Sequence, residues 1–295
     1  MSSGRIPLQD LQWPNNARVA VTVSVVIEVW SENATPGANS PGGFLSGGVK
    51  VSHTRDIRVE KMVEYGTNVG AWKLLEILDQ ERVKASVLLS GRAAELYPDL
   101  VRRYHESGHE IVGHSYAQDI STYDFKDPEE ERKNVRRTTE AIERVTGVRP
   151  VGWISPRVTP SPFTLDVLAE EGYLWCGDYP DDELPYLVKT PAGTIVVIPH
   201  SGIAGVNDHE IALTNGNPPR VYMEIFRDTF DYLYQEAART GSPGMLRIQA
   251  HAHVYGRPWG RLAFREAIRH AKAPPNVWFA TRAKIAEWAL ERYGR

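Results

Sequence analysis

Short β-branched and apolar runs alternate along this chain with longer amphipathic stretches, and that alternation constrains the fold more than any other feature. The pattern predicts strands over Val19–Val29, Lys84–Ser90, Glu110–Gly113, Val151–Ile154, Leu174–Gly177, Thr194–Pro199, Met245–His251 and Val277–Ala280. Helical periodicity fills most of the intervals. Over Asp127–Val145, for example, Val135, Thr138, Ile142 and Val145 share one face, with Asp127 as N-cap, Pro128 at the first helical position and Gly147 past the end. About eight such alternations predict an α/β chain folded as a distorted (β/α) barrel of about seven to eight parallel strands. One domain is expected over residues 1–295, with a doubly wound open sheet as the alternative.

Two stretches fall outside the alternation. Residues 1–17 read as an N-terminal arm, and residues 31–57, rich in Gly, Pro, Ser and Asn, read as a long loop. Because that loop follows Glu28 at a predicted strand end, it is expected either to cover an active site or to form a surface excursion or subunit arm.

Charge excludes several partners. With 34 basic and 37 acidic side chains and a net charge of -3, the chain has no bulk attraction for nucleic acid or anionic membrane. No apolar run approaches the length of a membrane span, and the polar first residues lack an apolar signal core, so a soluble cytoplasmic protein is expected. Cys176 is the only cysteine, which excludes an intrachain disulfide and a cysteine-based zinc cluster. Its apolar surroundings, Leu174 and Trp175, read as those of a buried structural thiol rather than a nucleophile.

In a β/α barrel the strand-to-helix loops share one face, so chemistry gathers at the C-terminal ends of strands. That rule selects Glu28, His114, Ser155, Arg157, Asp178, His200, His251 and His253. Glu28 lies in the run Val25-Val-Ile-Glu-Val29, where desolvation is expected to raise its pKa toward general-base values. Period-two geometry puts Arg247, Gln249, His251 and His253 on one face of a strand, opposite Leu246, Ile248 and Ala250. A polar row on an inner strand needs partners or a function. The acidic run Asp181-Asp-Glu183 reads as a solvated turn. No Gly-x-Ser-x-Gly elbow, phosphate-binding Gly-rich loop or His-Glu-x-x-His occurs.

Several segments carry a resemblance. Glu28-Val-Trp-Ser-Glu32, Glu64-Tyr-Gly66, Gly70-Ala-Trp-Lys-Leu-Leu75, Gly152-Trp153 with Arg157, Asp181 to Tyr186, Asn207-Asp208, and His251 with Gly256-Arg-Pro258 occur in an order similar to that of one branch of the polysaccharide deacetylase superfamily. That branch includes the metal-independent allantoinases and the cyclic imide hydrolases. The resemblance runs from about Arg18 to the C-terminus and implies a distorted β/α barrel, often assembled as a homotetramer. Against the sugar deacetylases of the superfamily, Val26 stands for the base Asp, Glu28 for the metal-binding Asp, His114 for the first His and Gln118 for the second.

The resemblance implies hydrolysis of a non-peptide C–N bond, ring opening of a small polar cyclic amide, ureide or imide, without a cofactor. Glu28 or His114 is expected to take a proton from water and His251 to protonate the leaving nitrogen. Trp30, Glu32, Tyr116, Gln118, Trp153, Arg157 and His253 are the expected substrate-binding residues, with Trp30, Tyr116 and Trp153 as stacking walls or, equally, core packing. No metal ligand set is expected; the alternative is Zn²⁺ on Glu28, His114 and a weak third ligand, Gln118 or His253. Sugar N-deacetylation and a catalytically inactive small-molecule binder are the remaining readings.

Overall fold

In the computed structural model, residues 4–32, 57–200 and 206–294 are described. The expected cover at residues 31–57 lies outside them, save for Ser31, Glu32 and Ile57 at its ends. The strands are β1 (Arg5–Pro7), β2 (Val19–Ile27), β3 (Ser86–Leu89), β4 (Glu110–Gly113), β5 (Gly152–Trp153), β6 (Trp175–Cys176), β7 (Tyr186–Thr190), β8 (Gly193–Val197), β9 (Gly244–His251) and β10 (Val277–Phe279). The α-helices are α1 (Ile57–Tyr65), α2 (Ala71–Glu81), α3 (Gly91–Leu96), α4 (Pro98–Glu106), α5 (Pro128–Thr146), α6 (Thr164–Glu170), α7 (Pro219–Thr240), α8 (Pro258–Lys272) and α9 (Arg282–Tyr293). Among the described residues, no helix is long and apolar enough to cross a membrane.

Parallel pairing runs β8-β6-β5-β4-β3-β2. One edge of β2 is taken along its length by β9, from Val19 opposite Gly244 to Val26 opposite His251. The other edge is shared: β10 takes Val19–Val21 and β3 takes Ser24–Ile27. A parallel bridge from Asn207 to Gln249 joins the chain beyond β8 to the free edge of β9, which closes the ring. The fold is thus an α/β barrel of the expected kind, built on parallel strands.

Alternation along the strands separates two layers. Val19, Val21, Val23, Val25 and Ile27 of β2 face outward and pack with Leu74 and Leu78 of α2, Phe226 of α7 and Phe264 of α8. Ala20, Val26, Leu88, Val112, Ile154, Trp175, Val196 and Ile198 fill the lumen. Helix α5 has the predicted ends, Asp127 accepting from the Glu130 N–H at 2.9 Å and Gly147 at φ 73°.

The described part of the N-terminal arm, residues 4–17, is not free: β1 pairs antiparallel with β7, which in turn pairs antiparallel with β8. Beyond β1, Leu11, Trp13 and Ala17 are buried with Ile285, Ala286 and Ala289 of α9 against the lumen residues. Trp13 donates its ring N–H to the Gly244 carbonyl at 2.8 Å and packs on Trp278 and Trp288. This plug closes the N-terminal end of the barrel and leaves the C-terminal ends of the strands for chemistry.

At that working end, a π-helical turn (66–70) presses on the turn that follows β9. A Cβ on Gly70 would stand 1.9 Å from the Ala252 carbonyl oxygen, and one on Gly256 would stand 2.0 Å from the same atom. Only backbone fits here, and His253 lies in the turn so held. Gly70→Ala is expected to destabilise the protein by about 1–3 kcal/mol through overpacking against backbone. Urea unfolding checks this, and an unchanged midpoint would show that the two turns do not bear on each other.

Candidate active site

Strand β2 delivers Glu28 to the mouth of the barrel, one residue past Ile27. Its register with β9 sets Val26 opposite His251, so both strands end level. From β4 comes His114, whose N–H is bonded to the Leu89 carbonyl at 3.1 Å. Three imidazoles consequently surround one buried carboxylate. His114 Nε2 lies 3.8 Å and His251 Nε2 3.7 Å from Glu28 Oε1, and His253 Nδ1 lies 3.6 Å from Oε2. These separations are longer than direct hydrogen bonds.

Each facing histidine is held from behind. Asp208, fully buried, accepts the His251 backbone N–H at 2.8 Å through Oδ2 and meets ring Nδ1 at 2.7 Å through Oδ1. His114 Nδ1 meets the Ile154 carbonyl at 2.6 Å. A carbonyl only accepts, so Nδ1 carries a proton and Nε2 is the ring atom turned to Glu28. His209 lies beside these rings, 5.3 Å from His251 and 6.2 Å from His253.

Electrostatics corrects one sequence expectation. Burial by itself would raise the Glu28 carboxyl, but the facing imidazoles, His251 foremost, hold it well below the usual carboxylate range. Glu28 is therefore an ionised carboxylate, not one tuned toward neutrality. Burial opposes charge on His251 too, yet Asp208 and Glu28 outweigh it and raise its pKa. His253 goes the other way: burial lowers it to about 4 despite Glu28, so it is neutral. His200 is likewise pushed well down by burial and by Arg247, to which its ring is hydrogen-bonded.

Of the predicted site residues, Glu28, His114, His251 and His253 are brought together, and Trp30 joins them with its ring edge-on to His253 at 6.0 Å. Gln118 is pinned beside the end of β2 by its N–H on the Val29 carbonyl at 2.9 Å, and its side-chain oxygen is buried without a partner among the described residues. Arg157 is exposed at the rim, in the left-handed region at φ 58° and followed by Val158 at φ 55°. Glu32 is exposed.

Two aromatics are not walls of the site. Trp153 is fully buried in the layer between sheet and helices, edge-on to Tyr173, because it precedes the lumen residue Ile154 and so faces outward. Tyr116 gives its hydroxyl to Glu95 at 2.7 Å and lies under the Arg137 guanidinium, among α3 and α5. Cys176 is a buried free thiol, as expected. Asp208 and His209 were not singled out as site residues by strand-end reasoning; Asp208 belongs to the Asn207-Asp208 pair of the resemblance, and the closing bridge at Asn207 is what places it.

His114 and His251 address one oxygen of Glu28 and His253 the other. No group of three or more His, Cys, Asp or Glu among the described residues is arranged to hold an ion.

Comparison with known proteins agrees with this architecture. The sequence profile of the polysaccharide deacetylase family matches residues 52–174. A solved Pseudomonas aeruginosa PAO1 protein assigned to that family superposes with a TM-score of 0.83 at 29% identity, covering 96% of this chain and 94% of that one. In sequence and in fold the chain is similar to members of that family. The structure of PuuE allantoinase is similar to the same degree, with a TM-score of 0.83, 28% identity, and coverage of 96% and 94%. A Schizosaccharomyces pombe protein with polysaccharide deacetylase in its name is 27% identical over 97% of this chain and 94% of its own. Within this deacetylase frame, Val26 is an apolar lumen residue packed with Leu88, Val112 and Ile154.

The Asp208 contact predicts its own test. In Asp208→Asn the carboxylate that stabilises the His251 imidazolium is gone, so the ring is expected to titrate at lower pH than in the wild type. NMR titration of the histidine rings reads this directly, and an unmoved His251 would mean that Glu28 alone sustains its charge.

Proposed function

We propose that this protein hydrolyses a C–N bond in a small cyclic amide, ureide or imide, using histidine and carboxylate groups in place of a metal. The observation that carries the reading is the pair of imidazoles facing one oxygen of Glu28, one backed by a carboxylate and the other by a carbonyl. Similarity to PuuE allantoinase supports the substrate class.

Such a pair divides acid and base work. His114 takes a proton from water through Nε2 as the oxygen attacks the ring carbonyl. Glu28, ionised, steadies the resulting imidazolium and orients the water. His251, cationic through Asp208, gives its Nε2 proton to the departing ring nitrogen as the C–N bond breaks. The carbonyl carbon becomes a carboxyl group and the nitrogen an N–H, so one water is consumed. Arg157 at the rim is placed to meet polar substituents of the ring, and Trp30 to lie against it.

The reading predicts addition of water to at least one member of a panel of allantoin, hydantoins, dihydrouracil, succinimide and maleimide, with equal rates with and without chelator. Glu28→Gln, His114→Ala and His251→Ala should each lower kcat by roughly 10²–10⁴-fold. Because His251 must be protonated to act, activity should fall as pH rises past an ordinary imidazole value, and Asp208→Asn should bring that fall to lower pH. Acetate release from acetylated chito-oligosaccharide, or turnover only with added metal, would overturn the proposal.

A further inference from the structure

Asp178 follows Gly177 at the end of β6 and is buried, with 1% of its surface exposed. Its Oδ1 accepts the Ser155 backbone N–H at 2.7 Å. That N–H belongs to the peptide group whose carbonyl, on Ile154, binds His114 Nδ1 at 2.6 Å. One peptide unit thus has an imidazole at its oxygen and a carboxylate at its nitrogen. We propose that Asp178 is a positioning residue for His114, acting through this single peptide group to fix the ring's tautomer and strengthen the basicity of the Nε2 that faces Glu28. This rests on the base role given to His114 above.

The surroundings hold the unit in place. Ile154 N–H is bonded to the Gly113 carbonyl at 3.0 Å and Gly177 N–H to the Trp153 carbonyl at 2.9 Å, so three strand ends grip it. Gly177 allows the approach, since a Cβ there would stand 2.6 Å from Ile154 Cγ1. Beyond Ser155, its hydroxyl oxygen accepts the Thr159 N–H at 2.8 Å, closing a turn that contains the left-handed Arg157 and Val158. Backbone in that region persists only where neighbours over-determine it.

The physics is that of polarised hydrogen-bond chains. A charged acceptor at the N–H shifts electron density toward the carbonyl oxygen, which then accepts more strongly from the imidazole. A ring N–H held in this way leaves the opposite nitrogen more basic, as with the carboxylate and carbonyl partners behind metal-bound histidines. His251 has its carboxylate directly; His114 has one at a distance of one peptide. Burial pushes Asp178 up to about 7, against the Ser155 hydrogen bond and the nearby His114, with Glu131 of α5 adding to the rise. Cys176 and Tyr179 also face it and are themselves raised. The relay is therefore charged above that range and neutral below it.

Asp178→Asn keeps an oxygen for the Ser155 N–H and removes the charge; Asp178→Ala removes both. On a cyclic substrate that the wild type turns over, Asp178→Asn is expected to lose roughly 10-fold in kcat above neutrality with little change in KM, and to match the wild type at low pH, where the wild-type carboxyl is itself protonated. By NMR, the His114 Nδ1 proton is expected to move upfield in the same variant. Unchanged kcat and an unmoved Nδ1 resonance in a folded Asp178→Asn protein would overturn the proposal. So would a loss equal in both variants and independent of pH, which marks a residue that only braces the turn. If the wild type turns over no member of the panel, the functional reading fails, while the Nδ1 resonance still decides whether Asp178 acts on His114.

Discussion

A single ionised carboxylate buried among three imidazoles is the interaction on which the working end of this barrel depends. Taking a carboxylate out of water costs several kcal/mol unless charge and hydrogen bonds replace the solvent. For Glu28 the replacement comes from β4, β9 and the turn after β9, three elements far apart in sequence. Their convergence requires the level ending of β2 and β9, the close approach of Gly70 to Ala252, and a plug at the opposite end so that the lumen is not itself the site. The charge of Glu28 is thus a property of the closed ring rather than of the strand that bears it.

Much of the frame was legible because the barrel's strands are marked by their own residues. The parallel ladder, the caps of α5 and the polar face Arg247, Gln249, His251 follow from period-two and period-3.6 patterns that no later contact overrides. The site was legible only in part, for reasons that particular residues show. Tyr116 lies two residues past His114, which continued alternation would place on the same face, but Ser115 at φ 58° breaks the alternation. Trp153 fails by parity alone. Asp208 is visible only through the Asn207–Gln249 bridge, a contact between segments more than forty residues apart that no local pattern announces. Glu28 shows the limit most clearly: its apolar neighbours predict a raised pKa, and the sign reverses because histidines remote in sequence outweigh them.

Val26 and Gln118 explain how the same frame serves a different charge balance. A site with two carboxylates carries two negative charges and calls for a divalent cation or a shared proton to offset them. Here Val26 is packed with Leu88, Val112 and Ile154 and contributes no charge, so Glu28 stands alone. The His251 imidazolium stands between Glu28 and Asp208, one on each ring nitrogen. Gln118, neutral and fixed by its backbone to Val29, adds no cation and no strong donor to a metal.

The two histidines that face Glu28 Oε1 differ chiefly in what stands behind them, and that difference is enough to separate their roles in the proposed reaction. A carboxylate in direct contact with a ring stabilises the cation, which suits His251 to give up a proton. A peptide carbonyl fixes one nitrogen as donor without adding a full charge, which suits His114 to keep its lone pair until a proton arrives. Placing Asp178 one peptide further away lets it strengthen that carbonyl without setting a carboxylate directly on the ring. The acid and the base of the proposed reaction, made from the same side chain on the same carboxylate oxygen, are thus told apart by the partner behind each ring.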